Sequence, residues 1–150
     1  ALVVTARARG TPDIGLSAQG GNLAFMLTIK DIAYVGYPAT DILRARQFYE
    51  GLLGLVPSTQ FEHEGRHWIE YDVGSGTLAV TTMSPEAWKP SPDGPAVALE
   101  VADFEAAVQH LRAAGVRFLV EPTDTGVCHL AVIADPDGNS LAIHRRKLHV

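Results

Sequence analysis

The chain has 150 residues, 47% of them apolar and 19% charged, a globular composition that excludes a disordered or fibrous protein. At this length one domain buries roughly 68–70% of the surface its unfolded chain exposes, enough for a continuous core without covalent staples. Seventeen Asp and Glu against twelve Lys and Arg give a formal net charge of −5, which speaks against a nucleic-acid binder tracking phosphates with a basic stripe.

Residues 1–25 read as an extension or arm, because Gly10, Pro12, Gly15, Gly20 and Gly21 punctuate a stretch without sustained periodicity. The apolar run Leu23 to Leu27 is far below the roughly 20 residues of a membrane helix, and no signal-type apolar region is present, so no membrane association is expected. Patterned sequence begins at Met26, which reads as the start of the domain, 26–150, and as a candidate start of the chain itself. Leu27, Ile29, Ile32 and Val35 are strand-type residues ahead of a turn at Tyr37 to Asp41. Asp41 is placed to cap a helix over about 42–52, where Ala45, Phe48, Tyr49 and Leu52 recur at helical spacing. Three strands follow, near 56–62, 66–73 and 76–83, completing a βαβββ order with punctuation at Glu64-Gly65 and Gly74 to Gly76.

Pro90 to Pro95 reads as a linker, since it sustains no helix and supplies few ladder donors. The same order then returns. A strand over 96–101 leads to Asp103 as a helix cap, with Phe104, Val108 and Leu111 on one face and Gly115 at the end. Strands near 116–121, 127–134 and 140–146 complete the second copy, and Asp135-Pro136-Asp137-Gly138-Asn139 reads as a turn between the last two. Asp41 and Asp103 lie 62 positions apart, Gly54 and Gly115 61, and Leu78 and Leu141 63. These small drifting offsets define two modules, 26–84 and 95–147, with minor indels.

Ile32-Ala33-Tyr34-Val35, the Asp41, Ala45, Phe48-Tyr49 spacing, Leu53-Gly54-Leu55 and the Asp135 to Asn139 turn resemble the vicinal oxygen chelate superfamily of glyoxalases, bleomycin-resistance proteins and extradiol dioxygenases. The resemblance implies an α+β fold in which two tandem βαβββ modules form a curved mixed sheet around a pocket, with the helices on the outer face. It also implies a homodimer. In the metal enzymes of the family, His or Glu ligands project from the first and last strands of each module, and the matching positions here are Tyr34, Ala79, Ala96 and Ala142. Three alanines and a tyrosine do not make a usual divalent-metal site, so no metal or other cofactor is expected.

Side chains alternate along strands, so Ala142 and His144 should share the pocket, as should Ala79 and Thr81. On 66–73, Ile69 and Tyr71 form the row expected to meet the helices, leaving Trp68 and Glu70 toward the cavity. Module register pairs Trp68 with His129 and Glu70 with Ala131. The expected ligand-binding lining is therefore Tyr34, Trp68, Glu70, Thr81, Ala96, His129, Ala142 and His144. Trp68 would serve as a stacking platform, and Glu70 with His129 would be the candidates for proton transfer. Cys128, the single cysteine, excludes an intrachain disulfide and points to a reducing, cytoplasmic setting. The function expected is metal-free binding or sequestration of a small molecule. The alternative is a lyase, dioxygenase or isomerase binding a divalent metal through non-standard donors such as Glu70, His129 and His144.

Overall fold

The computed structural model describes residues 32–147. The expected arm over 1–25 and the strand residues Leu27 and Ile29 lie outside the described residues. The order is β1 (Val35–Pro38), α1 (Ile42–Arg46) continuing as a π-helical segment (Gln47–Leu52), β2 (Pro57–His63), β3 (Arg66–Val73) and β4 (Gly76–Thr81). The second copy is β5 (Val97–Glu100), α2 (Phe104–Ala113), β6 (Phe118–Asp124), β7 (Cys128–Ala134) and β8 (Ser140–Arg146). The protein is α+β and built of two βαβββ modules. Their strands form two four-stranded mixed sheets of identical topology, β1-β4-β3-β2 and β5-β8-β7-β6, in which β1 runs parallel to β4 and β5 parallel to β8.

The helix starts follow from their caps. Asp41 accepts the backbone N–H of Leu43 at 3.0 Å and of Arg44 at 3.1 Å, and Asp103 accepts that of Ala106 at 2.9 Å. Each such cap stabilises by about 1 kcal/mol. Gly54 and Gly115 follow the two helical segments at φ of 71° and 72°, a left-handed turn that costs a side chain strain and glycine none.

One side of each sheet is covered by helix. Ile69, Tyr71, Leu78 and Val80 from module 1, and Ala131, Ile133, Leu141 and Ile143 from module 2, join Phe48, Tyr49, Phe104 and Leu111 in a single buried cluster.

Polar bonds fasten the modules at one end. Tyr37 Oη donates to the carbonyl of Ser140 at 2.9 Å and accepts the N–H of Val97 at 2.7 Å. The Asp135 to Asn139 turn does more than reverse the chain. Asp135 Oδ1 accepts the N–H groups of Asp137 and Asn139, while its Oδ2 accepts the buried Tyr49 hydroxyl and the Asn139 side-chain amide, both at 2.8 Å. Asn139 Nδ2 also donates to the carbonyl of Pro38 at 2.8 Å, and Arg44 reaches Asp137 Oδ1 at 2.8 Å. Burial, then the charge of Asp135, holds the Tyr49 hydroxyl far above the ordinary tyrosine range.

Candidate functional site

On the helix-free face of module 1, ladder register sets Trp68 opposite Thr81 and Phe61, and Glu70 opposite Ala79 and Thr59. This row follows from the period of two along β3: Ile69 and Tyr71 are buried against the helices, so Trp68 and Glu70 must point away. The Trp68 indole N–H donates to Glu70 Oε1 at 2.8 Å, which fixes the ring plane. Tyr34, just ahead of β1 and 47% exposed, meets Trp68 edge-on with ring centroids 5.0 Å apart. Phe61, 44% exposed, is the β2 ladder partner of Trp68, and its ring stacks with that of His63 at 6.4 Å. Glu70 makes no ion pair among the described residues, so its charge remains available to the face.

Gly36 of β1 permits another aromatic to approach. A Cβ there would lie 2.4 Å from the end of the Trp88 ring, so Trp88 rests on the strand at a point where only hydrogen fits. Thr81 shares the face but is 2% exposed, and its hydroxyl donates to the carbonyl of His67 at 2.9 Å and accepts the N–H of Met83 at 3.0 Å. It therefore braces the strand end instead of presenting a free hydroxyl.

The helix-free face of module 2 carries Ala98, Ala142, Leu130, Val132, Glu100 and His144, as the pairing of β5, β8 and β7 requires. Ala96 lies on the same parity one residue before β5. His144 Nδ1 contacts Glu100 Oε2. Ala98 and Glu100 also line a cavity of about 610 Å3 together with Val35, Thr77 and Leu78 of module 1.

His129 is not on this face. Its neighbours at intervals of two, Ala131 and Ile133, are fully buried in the helix-covered core, and its ring lies 5.6 Å from that of Phe104 at the start of α2. It lines a separate cavity of about 480 Å3 with Asp124 and Arg145. The expected register, Trp68 with His129 and Glu70 with Ala131, is thus one residue out: Leu130 answers to Trp68 and Val132 to Glu70. A slip of one residue turns every side chain to the other face. Glu70 and His129 consequently lie on different sheets and opposite faces, and the structure does not assemble them as an acid/base pair.

The same placement bears on a divalent metal. Tyr34, Ala79, Ala96 and Ala142 offer one donor atom among four side chains, and His129 faces away from His144. No group of three or more His, Cys, Asp or Glu is gathered as a metal site among the described residues. The residues present do not fit the metal that the fold's catalytic members hold. No helix among the described residues is long and apolar enough to cross a membrane.

A family model described as the Glyoxalase/Bleomycin resistance protein/Dioxygenase superfamily matches residues 31–143, and the chain belongs to that superfamily. Solved structures share its fold. TnmS3, an antibiotic binding protein from Streptomyces sp. CB03234, is 20% identical with a TM-score of 0.67, over 81% of this chain and 100% of that one. A glyoxalase/bleomycin resistance protein from the same strain is 22% identical with a TM-score of 0.61, over 75% and 98%. A superfamily member from Sphaerobacter thermophilus DSM 20745 is 20% identical with a TM-score of 0.63, over 80% and 100%. No curated protein gives a match.

Three participants were not legible in the sequence. Phe61 sits in a strand without apolar alternation to mark its facing, Trp88 lies at the edge of the linker, and Glu100 occupies the last position of a short strand. The pairing of Glu100 with His144 needed the parallel β5–β8 register, which no local signal announces.

Proposed function

We propose that this protein binds a small, largely aromatic molecule on its helix-free face, without a metal, and sequesters it. The observation that carries this reading is the Trp68 indole, held by Glu70 at 2.8 Å and bordered by Tyr34 and Phe61 on an open sheet face. A fixed ring presents a large apolar area at little further entropic cost, and adjacent rings favour edge or offset stacking. Ala79, Ala96 and Ala142 keep the sheet floor low and unreactive where catalytic relatives carry donors. Glu70 adds one anionic anchor, so an aromatic ligand bearing a positive charge is favoured. The likeness to an antibiotic binding protein supports a binding role of this kind.

The face is open, and ligand sites usually enclose most of a drug-sized molecule. A homodimer in which a second copy closes over the face completes such an enclosure, and the cytoplasm is the compartment that a lone free cysteine suits.

Titration of the full chain with a panel of aromatic antibiotics and cationic dyes, read by indole fluorescence and calorimetry, tests the reading. The expected result is at least one micromolar ligand whose binding falls tenfold or more in Trp68→Ala. Undiminished binding in Trp68→Ala places the ligand elsewhere and overturns the assignment. Sedimentation velocity with and without that ligand tests the dimer.

A further inference from the structure

The end of β5 leaves a backbone donor without a strand. Glu100 is its last residue, opposite His144 of β8, and the ladder closes with the N–H of Val101 on the carbonyl of His144 at 2.9 Å. The next outward donor, the N–H of Arg146, meets Glu100 Oε1 at 2.8 Å in place of a backbone carbonyl. The other oxygen, Oε2, contacts His144 Nδ1.

An ionised carboxylate only accepts hydrogen bonds, so the ring nitrogen facing it carries the proton. The first cause of the lowered Glu100 pKa is the Arg146 N–H and the second is His144, which keeps the carboxylate ionised across neutral pH. In a neutral imidazole the proton on Nδ1 leaves Nε2 as a lone-pair acceptor. His144 Nε2 makes no hydrogen bond among the described residues, and the side chain is 26% exposed. Its ladder neighbours on the face are the apolar Ala142 and Leu130 with Ala98 beyond, and its partner Glu100 lines the cavity of about 610 Å3. The other groups that bear on the ring are Arg145, whose Nη1 is 3.9 Å from Glu100 Oε1, with Arg146 and Cys128 further along the same strands.

We propose that Glu100 is a positioning residue that holds His144 as the Nδ1–H tautomer, so that Nε2 accepts the proton of an acidic hydroxyl, a phenol or enol, on the bound molecule. The proton passes from the ligand oxygen to Nε2. The products are a ligand oxyanion and an imidazolium whose Nδ1–H stays on Glu100, and no other reactant is needed. This inference rests on the ligand-binding reading and adds a proton acceptor to it.

The test begins on the ligand-free full chain labelled with 15N. Long-range proton–nitrogen correlation of the imidazoles, with His144 assigned by its loss in His144→Gln and the pH raised until the ring is neutral, is expected to show Nδ1 protonated and Nε2 bare. Glu100→Gln leaves one acceptor oxygen for two donors and no charge. The tautomer bias of the neutral imidazole is expected to relax toward Nε2–H, which a mere strand cap would not bring about. A neutral wild-type ring with its proton on Nε2, or an unchanged tautomer in Glu100→Gln, overturns the positioning role.

The second arm uses 4-nitrophenol, followed by the absorbance of its anion. The expected result is a lowered apparent pKa in the presence of wild-type protein and none with His144→Gln. Equal ionisation with both proteins overturns the acceptor role. An aromatic ligand lost in Trp68→Ala but indifferent to His144→Gln would keep the binding reading while removing this one.

Discussion

Trp68 and Glu70 lie two residues apart on one strand and are joined side chain to side chain, the indole N–H on Oε1 at 2.8 Å. The carboxylate thus orients the ring and remains half-buried beside it, which couples the two in the proposed binding face. Replacing Glu70 by Ala frees the indole and removes the charge. Affinity for a cationic aromatic ligand should fall about tenfold, about 1.4 kcal/mol, with little change in unfolding free energy, as calorimetry and urea titration would show.

Gly36→Ala would place a methyl group against the end of the Trp88 ring, at 2.4 Å in the unrelaxed structure. The obstacle is the far end of a partly exposed side chain, not backbone. The ring should therefore swing out instead of the strand unfolding, at a cost of about 1 kcal/mol. In a Trp68→Phe background, the single remaining indole should shift its emission to the red and become more open to iodide quenching.

Tyr49→Phe removes the phenol that donates to Asp135 Oδ2 inside the core. Stability at neutral pH should drop by about 1–3 kcal/mol, measured by urea denaturation, because a buried acceptor loses a partner. The alkaline limb should change in the opposite sense. A hydroxyl held above its ordinary value of 10.0 stabilises the protein fully below that pH and withdraws the contribution as pH rises. The variant should therefore lose less stability than the wild type above about pH 10.

Acid should loosen the ends of β6 and β8 early. Hydrogen bonds from the Arg146 N–H and His144 hold Glu100 below 4.5, and that from Lys147 holds Asp124 below 3.8. A depressed carboxylate contributes stability above its unfolded pKa and loses it as pH falls through the folded one. Exchange of the Arg146 amide with solvent, corrected for intrinsic rate, should accelerate as pH drops below about 4.5. Glu100→Gln should flatten that dependence.

The duplicated order of elements was open to reading from the sequence because its signals are local: a capping aspartate, a helical stripe and a closing glycine, repeated about sixty residues on. In module 1 the facing of β3 was equally open, since Ile69 and Tyr71 alternate with Trp68, Glu70 and Asp72. Strand β7 reads Cys-His-Leu-Ala-Val-Ile-Ala, with no polar alternation to mark its outer row, so the module offset alone puts its facing one residue out. Irregularities in the β6–β7 ladder, between Phe118 and Val120 and between Val120 and Thr123, further decouple count from facing. The contact between Glu100 and His144 joins residues 44 positions apart, beyond the reach of any local pattern.

The fastening at the Asp135 to Asn139 turn also sets a schedule for the nascent chain. Pro38 waits for an amide 101 positions later, Thr40 for Asp137 97 positions later, and Tyr49 for a carboxylate 86 positions later. Synthesis runs from the N-terminus, and such distant partners are slow to find one another. The first module emerges with its phenol, its strand-end carbonyl and much of its apolar face unmatched, and it stays so until almost the whole domain has left the ribosome. That interval, more than the finished fold, is where this protein would need chaperones.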